Sequence, residues 1–140
     1  MGFYLWCGPL LCVVAHFGGL RLMQRVMVLG ATGSIGLSTL DVIARHPDKY
    51  CAQVLAANRS VDQMEALCLK HEPAHAVMFC SAAADDLERR LRDRAATKVH
   101  AGEQPMIDFA QSLDVDTVMA AIVGFAGLSA ALAAAKAGKR

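Results

Sequence analysis

The run Gly30-Ala31-Thr32-Gly33-Ser34-Ile35-Gly36 narrows what this chain can fold into more than any other feature. It follows a short apolar stretch, Arg25 to Leu29 (RVMVL), that reads as a buried strand. It opens an amphipathic stretch, Ile35 to Arg45, that reads as a helix with Ile35, Leu40, Ile43 and Ala44 on or near one face. Strand, glycine turn and helix in that order is the context in which glycines form a phosphate cradle. Gly30 would permit the tight turn out of the strand. Gly33 would let the backbone approach a pyrophosphate with no Cβ in the way, and Gly36 would let the helix pack closely on the sheet. Unpaired amides at the helix start, aided by the helix dipole, would hold the anion. Thr32 and Ser34 can add hydroxyl donors. The spacing is GxxGxxG rather than GxGxxG, which leaves the loop path open. The plainer alternative is a glycine turn that serves packing alone.

Strand and helix signals alternate along the rest of the chain. Cys51 to Ala57 reads as a second strand, and Ser60 to Lys70 as a helix with Ser60 and Gln63 placed as a capping box. His46-Pro47 ends the first helix and Pro73 closes the second. Ala76 to Phe79 is a third strand, and Ala82 to Arg94 a charged helix whose arginine-rich face reads as solvated surface. Lys98 to His100 is a short fourth strand, Met106 to Leu113 a short helix, and Thr117 to Ile122 a fifth strand. Leu128 to Ala137 is a helix of strong formers stopped by Gly138. Such alternation implies a parallel sheet with helical crossovers. The fold class is α/β: a Rossmann-like doubly wound sheet in three layers, αβα. The chain stops at Arg140 where a further strand is expected, as in a domain cut before its last strand.

A length of 140 residues suggests one domain at most. A net charge of +1 offers no argument for nucleic acid or anionic lipid as partner. The five cysteines are odd in number and form no CxxC pair, which suits a reducing cytoplasm better than a disulfide framework or a zinc site. Residues 1–20 carry no Asp, Glu, Lys or Arg. With no basic residue before Arg21 they make a poor secretory signal. Gly8-Pro9, His16 and Gly18-Gly19 interrupt a membrane helix. The favoured reading treats residues 1–22 as an extension outside the fold and residues 23–140 as the domain.

The end of the second strand separates NAD from NADP binders. NAD binders usually place an acid there for the ribose hydroxyls. Here the chain reads Asn58-Arg59-Ser60, with no acid until Asp62. A carboxylate would repel a 2′-phosphate, whereas Arg59 can form a charge-assisted bond to it, and Asn58 and Ser60 can donate as well. The alternative is that Arg59 is a solvated loop residue and Ser60 only a cap. One motif is a decoy. His71-Glu72-Pro73-Ala74-His75 matches HExxH, but Pro73 breaks the helix that would set both imidazoles on one face. His46 and His100 have no partners in sequence. Asp85-Asp86 and Arg89-Arg90 read as helix-surface charge.

Three segments resemble the 1-deoxy-D-xylulose 5-phosphate reductoisomerase family: VMVLGATGSIGLSTLDVIARHPDKY, MEALCLKHEPAHAVM and DVDTVMAAIVGFAGLSAALAAAKAGKR. The pairing of GSIGxSTLDV with MAAIVGxAGL is more specific than the glycine loop alone, and the resemblance runs from Gln24 to Arg140. It implies the N-terminal NADPH-binding domain of an oxidoreductase and isomerase of non-mevalonate isoprenoid biosynthesis. That enzyme converts 1-deoxy-D-xylulose 5-phosphate to 2-C-methyl-D-erythritol 4-phosphate with NADPH and a divalent cation, Mg²⁺ or Mn²⁺. The implied cofactor residues are Gly30, Thr32, Gly33, Ser34, Ile35 and Gly36 in the first loop, and Asn58, Arg59 and Ser60 after the second strand. Asn58 and Ser60 depart from the family's usual glycine and asparagine. The loop from Val123 to Gly127 is implied to lie near the cofactor, with Phe125 in place of a small residue. The family's catalytic and metal-binding motifs lie beyond Arg140, so no catalytic or metal residue is assigned here and these residues alone are expected to be inactive. A sugar phosphate as substrate, a full-length homodimer and a cytoplasmic location complete the implied picture, with no nucleic-acid or membrane partner. A stand-alone NADP-binding module and the cofactor domain of another NADP-dependent reductase, such as a relative of aspartate-semialdehyde dehydrogenase, remain the alternatives.

Overall fold

The computed structural model describes residues 23–122 and 127–140. The extension 1–22 and the site of Phe125 lie outside the described residues, so the expectations for them are carried forward as such. The element order is β1 (Gln24–Leu29), α1 (Ser34–Arg45), β2 (Tyr50–Ala57), α2 (Val61–His71), β3 (His75–Met78), α3 (Ser81–Leu91), β4 (Lys98–Ala101), α4 (Glu103–Gln111), β5 (Thr117–Ala120) and α5 (Leu128–Lys136). Among the described residues the strands form one parallel sheet in the order β4-β3-β2-β1-β5. The expected α/β class and its strand–helix alternation are observed.

The strand order explains the layers. From β1 to β4 the chain steps outward in one direction, and α1, α2 and α3 cover one face of the sheet. It then crosses back past β1 to lay down β5, and α4 and α5 cover the opposite face. Alternate residues of β1 serve the two cores, since strand side chains point to opposite faces in turn. Val26 and Val28 pack with Leu40, Ile43, Met64, Leu67, Leu87 and Leu91 on the first face. Met27 and Leu29 pack with Met106, Ala110, Ala130, Ala133 and Ala134 on the second. This double burial is why RVMVL is a continuous apolar run instead of an alternating one.

Several boundaries differ from the sequence reading, for identifiable reasons. Helix α4 starts at Glu103, ahead of the expected Met106, with Pro105 inside its first turn. A helix tolerates proline there because that amide would have no intrahelical partner anyway. Helix α3 ends at Leu91, its last buried residue, and residues 92–94 form an exposed turn with nothing to bury. Strand β5 ends at Ala120, short of Ile122. Ser60 does occupy the N-cap of α2, but it makes no side-chain cap bond, so the capping box does not form. Its ψ of 74° falls short of the extended backbone a capping hydroxyl uses. On α1 the buried residues are Gly36, Leu40 and Ile43, while Ile35 and Ala44 face outward. Gly138 acts as expected: at φ +70° it lets its own amide reach Ala135 and that of Lys139 reach Ala134.

One polar tie fixes the start of β1. The Arg25 guanidinium bonds Asp116, Asp114 and the Leu113 carbonyl, and the Arg25 amide donates to Asp116 at 2.9 Å. This couples β1 to the turn that enters β5. On the outer edge of β5, the Val118 amide donates to the Arg140 carbonyl at 2.8 Å.

Candidate functional site at the carboxyl edge of the sheet

Parallel sheets bind ligands at the carboxyl ends of their strands, in the crevice where the strand order reverses. Here that reversal lies between β1 and β5, and the glycine loop leaves β1 into it. Three glycines have distinct tasks. Gly30 has φ +78°, a backbone region that L-residues avoid, and a Cβ there would stand 2.8 Å from the Ala121 carbonyl oxygen. A Cβ on Gly36 would stand 2.2 Å from the Gly30 oxygen. Gly36 therefore brings the first turn of α1 against the loop itself, more than against the sheet. At Gly33 a Cβ would meet only the Gly30 oxygen, at 3.4 Å, so the fold leaves that position open toward solvent. A close backbone approach by a ligand is the use an open glycine fits.

The loop is also ready to receive an anion. Gly33 is the N-cap of α1, with extended backbone and no capping side chain. The Leu37 amide is bonded to the Gly33 carbonyl. The amides of Ser34, Ile35 and Gly36 have no backbone carbonyl to bond among the described residues, as at any uncapped helix start. They gather at the positive end of the helix dipole. The Ser34 side chain is exposed beside them. Thr32 is half-buried in the loop.

The second predicted cluster lies on the neighbouring strand. Leu29 pairs with Ala56, and the amides of both Gly30 and Ala31 donate to the Ala56 carbonyl at 2.9 Å. Asn58, Arg59 and Ser60 follow after Ala57 and are exposed. The Asn58 carbonyl accepts from Cys80, and the Arg59 carbonyl from Val61 at 2.8 Å. The backbone of this turn is thus pinned while its side chains remain available. The Arg59 guanidinium makes no ion pair among the described residues. The structure therefore brings all nine sequence-predicted residues to one edge of the sheet, in two adjacent turns.

A groove of about 410 Å³ runs from this edge along the outside of α1, lined by Ser34, Ile35, Ser38, Thr39, Val42 and Met119. Ile35, placed by sequence on the packed face, is instead 57% exposed on its wall. On the far side of β5's terminus, Gly127 sits against Ile122, where a Cβ would come within 2.8 Å of the Ile122 side chain.

Other charged features fall elsewhere. His71 ends α2 and His75 opens β3, with Glu72 between them in left-handed conformation at φ 46°, so the HExxH residues share no helical face. Burial and the nearby Lys70 hold His71 below its ordinary pKa. Among the described residues no group of three His, Cys, Asp or Glu side chains could hold a metal ion. Sequence reasoning missed a histidine pair. Nδ1 of His75 lies 3.1 Å from Nε2 of His100, and both rings contact Phe109 of α4. It also missed the reach of Arg90. Asp86 does pair within α3, with Arg89 and Arg90, but Arg90 also crosses to Asp62 and Glu65 of α2. Arg94 joins it on Glu65.

A parallel sheet covered by helices on both faces, with a glycine loop leaving β1 at the switch point, is a domain of the Rossmann-like α/β class. The chain belongs to the 1-deoxy-D-xylulose 5-phosphate reductoisomerase family, whose model matches residues 26–140. The reductoisomerase of Aromatoleum aromaticum is 57% identical over 119 residues, covering 84% of this chain and 30% of its own length. That of Xanthomonas campestris pv. campestris strain B100 is 55% identical over the same span. A solved structure of DOX-P reductoisomerase with NADPH, fosmidomycin and magnesium superposes with a TM-score of 0.79 at 42% identity, covering 84% of this chain and 29% of that one. The Zymomonas mobilis enzyme in complex with NADPH gives a TM-score of 0.76 at 40% identity, covering 83% and 30%. The chain thus spans about 30% of the length of the relatives it matches.

Proposed function

We propose that this chain is the NADPH-binding part of a 1-deoxy-D-xylulose 5-phosphate reductoisomerase. One observation carries the reading: the open Gly33 and the amides of α1, unpaired among the described residues, lie one strand away from an Arg59 that makes no ion pair among those residues. The amides of Ser34, Ile35 and Gly36 would hold the pyrophosphate, with the Ser34 and Thr32 hydroxyls beside them. Arg59, flanked by Asn58 and Ser60, would hold the 2′-phosphate. NADPH bound there supplies the hydride for the reduction. The protein's own task at this edge is to fix and orient the cofactor. Two related structures contain NADPH, which supports the assignment.

The rest of the reading follows the family. The substrate would be a sugar phosphate, and a magnesium or manganese ion would be held by residues outside the 140 present. The whole enzyme would act as a homodimer in isoprenoid biosynthesis, with neither nucleic acid nor membrane as partner. Among the described residues no helix is long and apolar enough to cross a membrane. Cys68 and Cys80 are free thiols, which suits a cytoplasmic location.

Cofactor titration tests the core of the proposal. The protein should bind NADPH more tightly than NADH. Arg59→Ala should cost NADPH about 1–3 kcal/mol, the usual worth of a charged hydrogen bond, and leave NADH nearly unchanged. Equal affinities for the two cofactors in the unaltered protein would overturn the assignment of Arg59.

A further inference from the structure

The acid closest in sequence to the Asn58–Ser60 turn is Asp62, in the first turn of α2. Its carboxylate is exposed, and it stands within roughly 8 Å of the turn by helix geometry alone. Left alone, it would oppose the dianionic 2′-phosphate that Arg59 is placed to receive. It is not left alone. Nη1 of Arg90, reaching across from α3, lies 2.6 Å from Oδ1 of Asp62. The same guanidinium bonds Glu65 at 3.1 Å and Asp86 at 2.9 Å.

The three acids are not equally dependent on Arg90. Glu65 also has Arg94, and Asp86 also has Arg89. Among the described residues Asp62 has Arg90 alone. Removing Arg90 would therefore leave one carboxylate without its cation, the one beside the cofactor turn.

We propose that Arg90 is a positioning residue for cofactor selectivity: by pairing with Asp62 it neutralises the acid next to the 2′-phosphate site, so that Arg59 meets the phosphate without a competing negative charge. This rests on the NADPH reading given above. Arg90 touches no cofactor atom in this role. It acts through Asp62, and its effect is strongest on ligands that carry the 2′-phosphate. NADH, with hydroxyls there, feels it less, because its only charge is the more distant pyrophosphate.

The test is titration of the full chain with NADPH and with NADH, at about 10 mM and 0.15 M salt. A unit charge acting on a dianion across roughly 8 Å of water predicts that Arg90→Gln weakens NADPH about fourfold at the lower salt and about twofold at the higher, where screening is stronger. NADH affinity should fall less at either salt. Arg90→Lys should keep most of the preference, and adding Asp62→Asn to Arg90→Gln should restore it. Should Arg90→Gln fail to fold, Asp62→Asn alone decides: it should tighten NADPH about fourfold at the lower salt and about twofold at the higher, and move NADH less. An unchanged NADPH-to-NADH ratio in these variants, or an equal loss for both cofactors, would overturn the proposal and mark the network as purely structural. Equal affinities in the unaltered protein would instead sink the NADPH reading itself.

Discussion

Two glycines of one loop should fail in opposite ways when given side chains. In Gly36→Ala the new Cβ would stand 2.2 Å from the Gly30 oxygen and 2.8 Å from the Ala31 Cα, both backbone atoms that cannot rotate away. Overpacking of this kind costs about 1–3 kcal/mol, and so short a contact belongs at the upper end. Alanine recovers up to about 1 kcal/mol of helix propensity, less at a first turn. The net loss is about 2 kcal/mol, which in a domain of this size lowers Tm by roughly 10 °C. Gly33→Val meets no such obstacle. Its backbone, at φ −81° and ψ 169°, is one that valine favours, and its nearest neighbour is at 3.4 Å. Losing a good N-cap residue costs about 1 kcal/mol at most there, yet the branched side chain fills the space a pyrophosphate needs. Circular dichroism melts and NADPH titration should therefore separate the variants, with Gly36→Ala folding less stably and Gly33→Val folding normally but not binding. An unchanged Tm for Gly36→Ala would refute the close-approach argument, and retained NADPH affinity in Gly33→Val would show that the cradle lies elsewhere.

Three further outcomes are expected. Burial first, and the neighbouring Lys98, hold both His75 and His100 below the ordinary value of 6.5, with His100 also acting on His75 and Asp114 opposing weakly. The folded state thus binds fewer protons than the unfolded one at acid pH, so this stabilisation is complete above about 6.5 and is lost as pH falls below it; melts at pH 7.5 and 5.5 should show a smaller drop for His100→Gln than for the parent, and equal drops would exclude the pair as the cause. Glu72→Gly should raise stability by up to about 1 kcal/mol in urea titration, because glycine takes the left-handed C-cap of α2 without strain, and a loss would mean that the Glu72 side chain supports the fold. If residues 1–22 stand outside the fold, a chain beginning at Met23 should fold and bind NADPH as well as the longer one and stay more soluble, since removing an apolar segment lowers the tendency to associate; loss of binding on gel filtration and titration would place residues 1–22 within the fold.

What could be read from sequence was local, and what could not was tertiary. The tight turn at Gly30 follows from spacing within one strand–turn–helix unit, and the structure gives it the required geometry; Gly36 is a point of close approach as spacing suggests, but against the loop and not the sheet. The order of the elements was legible for the same reason, since each apolar period lies within one element. The start of α4 lies three residues ahead of the Met106 expected from sequence, because a proline in the first turn is compatible with a helix and its position depends on where the helix begins. Ile35 looked like core by its chemistry, but at the first turn of α1 the wall it lines is formed with Met119, far away in sequence. The His75–His100 pair depends on register. His75 aligns with Lys98 and Val77 with His100, which sets the two imidazoles on a diagonal across β3 and β4. Arg90 had the same difficulty: nothing in α3 by itself says that α2 brings Asp62 and Glu65 within its reach.

The Ala56 carbonyl accepts from two successive amides, Gly30 and Ala31. One oxygen on β2 therefore holds the turn that leaves β1, two residues ahead of the Asn58–Ser60 turn. On the reading proposed above, the distance between the pyrophosphate and 2′-phosphate positions would be set by short covalent and hydrogen-bonded geometry. The edge would then act as a gauge for a ligand with two phosphate groups a fixed span apart. Side chains at Asn58, Arg59 and Ser60 can then be exchanged without moving the pyrophosphate cradle, because the gauge is made of backbone. In such a domain the choice between cofactors can drift by single substitutions while the strength of the pyrophosphate grip stays constant.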